Sequence, residues 1–113
     1  MVGQEEGGDP MRPDKILSRP KRPAEEFRLQ WDFANDIEAT DTRSAFAVTA
    51  KDVADGSDVS ATFIQGAGWI GAGPVVGAQV QAGIDLHDYD VTFELSSTQG
   101  DKWQRVVRVS VRA

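Results

Sequence analysis

The chain has 113 residues, 40% of them hydrophobic, which is enough for one domain with a core of its own. Its 18 acidic and 12 basic residues give a net charge of −6, which disfavours general nucleic-acid binding unless the cations cluster. There is no cysteine, so a disulfide framework and a thiolate zinc site are both excluded. No apolar run approaches the roughly 18 residues of a membrane span. No secretory h-region follows Met1, and together with the missing disulfides this points to assembly inside a cell.

Four of the five prolines (Pro10, Pro13, Pro20 and Pro23) fall within the first 25 residues. Proline fixes φ, removes an amide donor and biases its predecessor towards extended geometry. The segment holds no aromatic residue and only one small apolar pair, Ile16-Leu17, so it is expected to be an extended arm without a core. Its charges are segregated: Glu5, Glu6 and Asp9 come first, then Arg12, Lys15, Arg19, Lys21 and Arg22 against Asp14 alone. The arm is balanced at five basic and five acidic residues, so the net negative charge lies on residues 26–113. A solvated terminus is one reading. The sharper one is a docking arm that orders only on a partner, with the cations on acidic surface and Ile16-Leu17 in a groove. On that reading, removing residues 1–24 leaves the stability of the domain unchanged.

From residue 26 the period becomes two. Phe27, Leu29, Trp31 and Phe33 share one face of a strand, and Glu26, Arg28, Gln30 and Asp32 share the other. A polar turn over 34–42 leads to "SAFAVTAK", and "DVADGS" supplies another turn, with Gly56 available for positive φ. "DVSATFI" alternates through Val59, Ala61 and Phe63 and reads as a strand. "QGAGWIGAGPVVGA" contains five of the chain's 11 glycines and cannot be a regular helix. "AQVQAGI" reads as a short strand, and Tyr89, Val91, Phe93 and Leu95 mark another. Gly100 takes the left-handed position of the following turn, and Trp103, Val107, Val109 and Val111 line the last strand.

Six or seven short strands without an amphipathic helix predict an all-β protein, a β-sandwich. "IDLHDYDV" sharpens the expectation. It resembles the tyrosine corner of immunoglobulin-like sandwiches, where a phenol at the start of a late strand bonds back to nearby backbone. The expected architecture is therefore an immunoglobulin-like β-sandwich of about seven strands over 26–113, preceded by an extended arm over 1–25. Trp31 and Phe93 are expected in its core, on facing strands.

Catalytic chemistry has few candidates. His87 is the sole histidine, in a polar loop, and reads as a solvated side chain. No G-x-S-x-G context, metal-spaced histidine pair or phosphate loop occurs. "GAGWIGAG" lacks both the GxGxxG spacing and a following helix. Asp36, Glu38 and Asp41, and Asp85, Asp88 and Asp90, would hold calcium only if their oxygens converged at one sandwich end. A solvated rim is the simpler reading, so no metal, cofactor or catalytic residue is assigned. Trp69 stands among Gly66, Gly68, Gly71 and Gly73. Such an indole is either a contact residue or a cover folded over an open end of the sandwich.

In chain order, "PDKILSRPKRPAEEF", "FRLQWDF", "TDTRSAFAV", "YDVTFEL", "STQGDKW" and "RVVRVSV" resemble a family of small tailed-phage virion proteins with one immunoglobulin-like domain. These are described as fibre–tail adaptor or head–tail accessory proteins. The likeness runs from about residue 9 to the end. His87-Asp88 stands where a glycine commonly precedes the tyrosine, and the glycine-rich insert around Trp69 is longer than the family pattern. The resemblance implies a non-enzymatic structural role in a virion assembled in the cytoplasm of a bacterial host. It implies tail, fibre, collar or capsid proteins and further copies of the chain as partners, in a symmetric assembly without nucleic acid or membrane. The residues expected to meet partners are Arg12, Lys15, Ile16, Leu17, Arg19, Lys21, Arg22 and Trp69. A carbohydrate- or host-surface-binding module, with Trp69 and the acidic loops as its site, is the alternative.

Overall fold

A computed structural model describes residues 13–37, 41–71 and 73–113. In chain order the elements are β1 (Lys15–Ile16), β2 (Phe27–Asp32), β3 (Arg43–Asp52), α1 (Ser60–Phe63), β4 (Ile64–Ile70), β5 (Val75–Val80), β6 (Asp88–Ser97) and β7 (Lys102–Ser110). They form a four-stranded sheet in the order β1-β7-β6-β3 and a three-stranded sheet in the order β2-β5-β4. Every pairing between these strands is antiparallel except β1 with β7, which is parallel. The fold is an all-β sandwich. In an immunoglobulin sandwich, strands A, B, E and D face C, F and G. Here β2, β5 and β4 occupy the B, E and D positions, β3, β6 and β7 occupy C, F and G, and β1 lies on the G edge.

Alternation along the strands builds the core, because successive side chains of a strand point to opposite faces. In β6, Tyr89, Val91, Phe93 and Leu95 are buried at every second position, and in β7 Val107 and Val109 follow the same rule. Val76, Ala78 and Val80 of β5 face them from the other sheet, with Leu29 and Phe33 from the β2 segment. Phe93 is fully buried, as expected, whereas Trp31 is half-buried and packs on the edge of the core. The difference follows from position: β6 is interior to its sheet, while β2 is an edge strand.

The tyrosine corner is present. Tyr89 opens β6, and its Oη accepts the Ile84 N–H at 2.8 Å. The ring stacks on Phe63 with centroids 4.3 Å apart. Tyr89→Phe keeps that packing and leaves the Ile84 amide without its phenol. The expected loss is about 0.5–1.5 kcal/mol, the net worth of one hydrogen bond whose donor can partly regain water. Chemical denaturation of the two proteins measures it, and equal midpoints would mean that the bond contributes nothing.

Of residues 58–64, only Ile64, the first residue of β4, belongs to a strand. Asp58 Oδ1 accepts both the N–H and the hydroxyl of Ser60, at 2.9 and 2.6 Å, which bends the backbone into a turn. One helical turn, α1, follows and carries the chain from β3 across to β4 with Phe63 buried beneath it. The glycine-rich stretch forms β4 and its hairpin to β5. The β4–β5 register shifts between Gln65 and Trp69, where Gly66 and Gly68 have positive φ. A Cβ at Gly68 would lie 2.8 Å from Gly77 O and 2.9 Å from Val48 Cγ2, so the bulge lets backbone approach backbone.

The arm departs most from expectation. Residues 14–21 lie along the chain's own β7 rather than standing free. The Asp14, Leu17 and Lys21 amides donate to Val106, Arg108 and Ser110 carbonyls, and the Lys21 carbonyl accepts the Arg112 N–H. Asp14 Oδ2 accepts the Val106 N–H at 2.7 Å. The prolines do not prevent this, because an edge strand uses only part of its amides: Pro13 precedes the first donating position and Pro20 falls between Leu17 and Lys21. Lys21, expected to meet a partner, is 0% exposed. Its Nζ donates to the carbonyls of Arg22, Pro23 and Ala82 at 2.9, 3.3 and 2.5 Å and lies 5.9 Å from the Phe63 ring centroid. Burial lowers its pKa from the ordinary lysine value, and Glu25 and Glu26 pull the other way. An ammonium has three donors, and here all three meet backbone carbonyls, which explains why a cation belongs there.

Candidate docking surfaces

The remaining side chains of the arm divide between an edge and a groove. Lys15 and Ile16 are exposed on β1, Ile16 at 61% and paired in register with Arg108. Farther along, half-buried Leu17 packs against the core and shares an open groove with Pro20 and Phe27. Arg19, Arg22 and Arg112 edge that groove, together with Glu25 and Glu26. Glu25 Oε1 accepts the Arg22 N–H at 2.8 Å, and Arg112 reaches Asp88 at 3.1 Å. The exposed guanidinium groups of Arg19 and Arg22 form no ion pair with a described residue. Of the expected partner-binding set, the structure thus brings Leu17, Arg19 and Arg22 together. Lys15 and Ile16 sit along the same edge, Lys21 is inside, and Arg12 lies outside the described residues.

Trp69 belongs to a different surface, the outer face of the three-stranded sheet. It stands opposite Gly77 on β5, and a Cβ at Gly77 would come within 2.5 Å of the indole Cζ2. The ring therefore lies across the glycine rather than over an end of the sandwich. The Arg28 guanidinium sits 5.5 Å from the ring centroid, a cation–π distance, and Gln65 and Gln79 flank the same shallow depression. Gly77→Ala should lift the indole off the sheet. The expected signs are a shifted Trp69 indole N–H resonance and an overpacking loss of about 1–3 kcal/mol. An unmoved resonance would place the ring elsewhere.

The acidic loops are taken up internally. Asp36 binds Arg105 at 2.5 Å, Asp88 binds Arg112, and Asp90 makes a forked pair with Arg108 at 2.8 and 3.0 Å. Asp85 accepts the Ala113 N–H, and Asp41 accepts from Thr42 and Thr98. Glu38 lies outside the described residues. Among the described residues no three acidic, histidine or cysteine side chains converge as metal ligands. His87, read as a solvated loop residue, instead meets the nearly buried Asp52 at 2.7 Å and ties its loop to the end of β3.

Sequence reasoning read the tyrosine corner between β5 and β6 but assigned no role to its exposed apolar residues. Ile84 is 59% exposed and Leu86 75% exposed, and they flank Asp85. Ala82 and Leu86 have φ of 56° and 71°, in the left-handed region. An L-residue there gives up about 1–2 kcal/mol. Hydrogen bonds hold the corner from several sides: Lys21 on Ala82 O, Tyr89 Oη on Ile84 N, and Val111 O on Leu86 N. Two apolar residues within three positions of a polar loop were the available signal.

No protein-family model matches the chain, and neither does any curated protein. Among the described residues no helix is long and apolar enough to cross a membrane.

Proposed function

We propose that this protein is a non-enzymatic structural component of a bacteriophage virion. It acts as an adaptor or accessory protein that links or decorates tail, collar, fibre or capsid. Its partners are other virion proteins and further copies of the chain in a symmetric assembly. The observation that carries this reading is the arm. Pinned to β7 and locked by Lys21, it presents Lys15, Ile16, Arg19 and Arg22 outward along one rigid edge of the sandwich. Preorganised contact residues lose little freedom on binding, which suits a part that must be placed reproducibly in many copies. The immunoglobulin-type strand order and the tyrosine corner, on a chain whose motifs resemble those of small tailed-phage virion proteins, support the same reading.

Particles purified from infected cells test it. The chain should co-purify with them in fixed proportion. A variant combining Ile16→Ser, Arg19→Gln and Arg22→Gln should fold normally and be absent from particles. Leu17 and Lys21 are unsuitable for this test because both also support the fold. Particles that lack the wild-type chain would remove the proposal.

A carbohydrate-binding reading has one observation in its favour, the indole platform of Trp69 ringed by Gln65, Gln79 and Arg28. Saturable binding of a glycan by the isolated protein, abolished by Trp69→Ala, would favour it over the first.

A further inference from the structure

The outer face of the three-stranded sheet holds side chains that the fold does not use. Between Gln65 and Trp69, β4 has three residues where β5 has one, and Gly66 and Gly68 in that insertion stand at positive φ. Bulges of this kind re-aim a neighbouring side chain. This one lays Trp69 across Gly77, outside the core cluster, with the indole half-buried. On the next rung of the same face Arg28, Gln79 and Gln65 are paired in register, one from each strand. Both carboxamides and the guanidinium form no hydrogen bond or ion pair with a described residue. Stacked flat on the indole, the Arg28 Cζ would lie about 3.5–4.0 Å from it. At 5.5 Å from the centroid it stands off the ring. The depression measures about 520 Å³, the scale of a small-molecule site. Among the described residues that line it, Arg28 is the only charged one, in a chain whose net charge is −6.

A flat apolar ring beside a row of planar polar groups matches the shape of a pyranose. One sugar face offers C–H groups to the indole, and the hydroxyls at its rim donate and accept, as carboxamides do. A guanidinium without a partner adds a fork for a carboxylate. We infer that this depression binds an acidic saccharide, with a pyranose face on Trp69, hydroxyls on Gln65 and Gln79, and the sugar carboxylate on Arg28. The inference rests on the carbohydrate-binding reading and names its ligand. It is compatible with the virion role, because the arm's edge and the depression belong to different sheets, so a chain held by its arm leaves the depression uncovered by that contact.

An array of neutral, uronic-acid and sialylated oligosaccharides tests the ligand class. Titration of the full chain with the strongest acidic ligand, read at the Trp69 indole N–H resonance, tests the site. Acidic glycans should bind at least tenfold more tightly than their neutral counterparts, and added salt should narrow that gap. Trp69→Ala should abolish binding. Arg28→Gln should weaken the acidic ligand at least tenfold, leave its neutral counterpart unchanged and melt at the wild-type temperature, which separates a contact from a defect in folding. Neutral glycans bound as tightly as acidic ones would overturn the acidic selection while leaving the carbohydrate reading in place. An array on which nothing binds would overturn both. Polyglutamate bound as tightly as the acidic glycan would mean that charge alone is recognised, and the proposal would fall.

Discussion

A chain shortened to begin at Glu25 should lose about 3–5 kcal/mol of stability, a large share of the margin of about 5–15 kcal/mol by which a domain is folded. The truncation removes the amides that bond β7 from Asp14, Leu17 and Lys21, and it strips Leu17 from the core. Above all it removes the Lys21 ammonium from three carbonyls. Of these, Ala82 O remains behind at a corner that must still hold Leu86 at positive φ. Each buried polar group left unmet costs about 1–3 kcal/mol, and the ordering entropy recovered by the lost segment offsets part of the sum. Lys21→Met alone should show a smaller loss in the same direction. Urea denaturation of the three proteins reads the series, and a truncated chain as stable as the full one would mean that the arm only rests on the sheet.

Phe93→Ala should lower stability by about 3–5 kcal/mol, the usual result of truncating a fully buried aromatic. Phe93 is 0% exposed at the centre of β6, between β3 and β7 and beneath the other sheet, so little around it can move to fill the cavity. Trp31→Ala should fall below that range even though indole is the larger group. Its side chain lies on an edge strand and is already half in water. Equal losses at the two sites would mean that the edge of the sandwich is closed in solution.

Much of the fold was legible because strand alternation is a local signal. The run Tyr89, Val91, Phe93, Leu95 reports its buried face directly, and the spacing from Leu86 to Tyr89 reports the corner. Positive φ at Gly56 and Gly100 follows from turn chemistry. "DVSATFI" misled because Val59, Ala61 and Phe63 fit a period of two, while the Asp58–Ser60 hydrogen bonds that make the turn leave hydrophobicity untouched. The arm misled for a different reason. Extended, proline-bearing backbone is equally the geometry of a free linker and of an edge strand. Only the Ala82 carbonyl, 61 residues away, decides that Lys21 is interior rather than a surface cation. Among the candidate site residues, Arg19 and Arg22 were legible as exposed cations. The groove they share with Phe27 and Arg112 was not, since it exists only once β1, β2 and the end of β7 are side by side.

Amide hydrogen exchange on the isolated protein tests most directly whether the arm is a strand of its own sandwich. The Leu17 and Lys21 amides should be protected to a degree comparable with β7, because opening them requires breaking the parallel pairing and extracting Lys21. The Arg19 amide, on the turn between those bonded positions, should exchange faster. Exchange of Leu17 and Lys21 at the rate of an unstructured peptide, slowing only when a partner is added, would contradict the account.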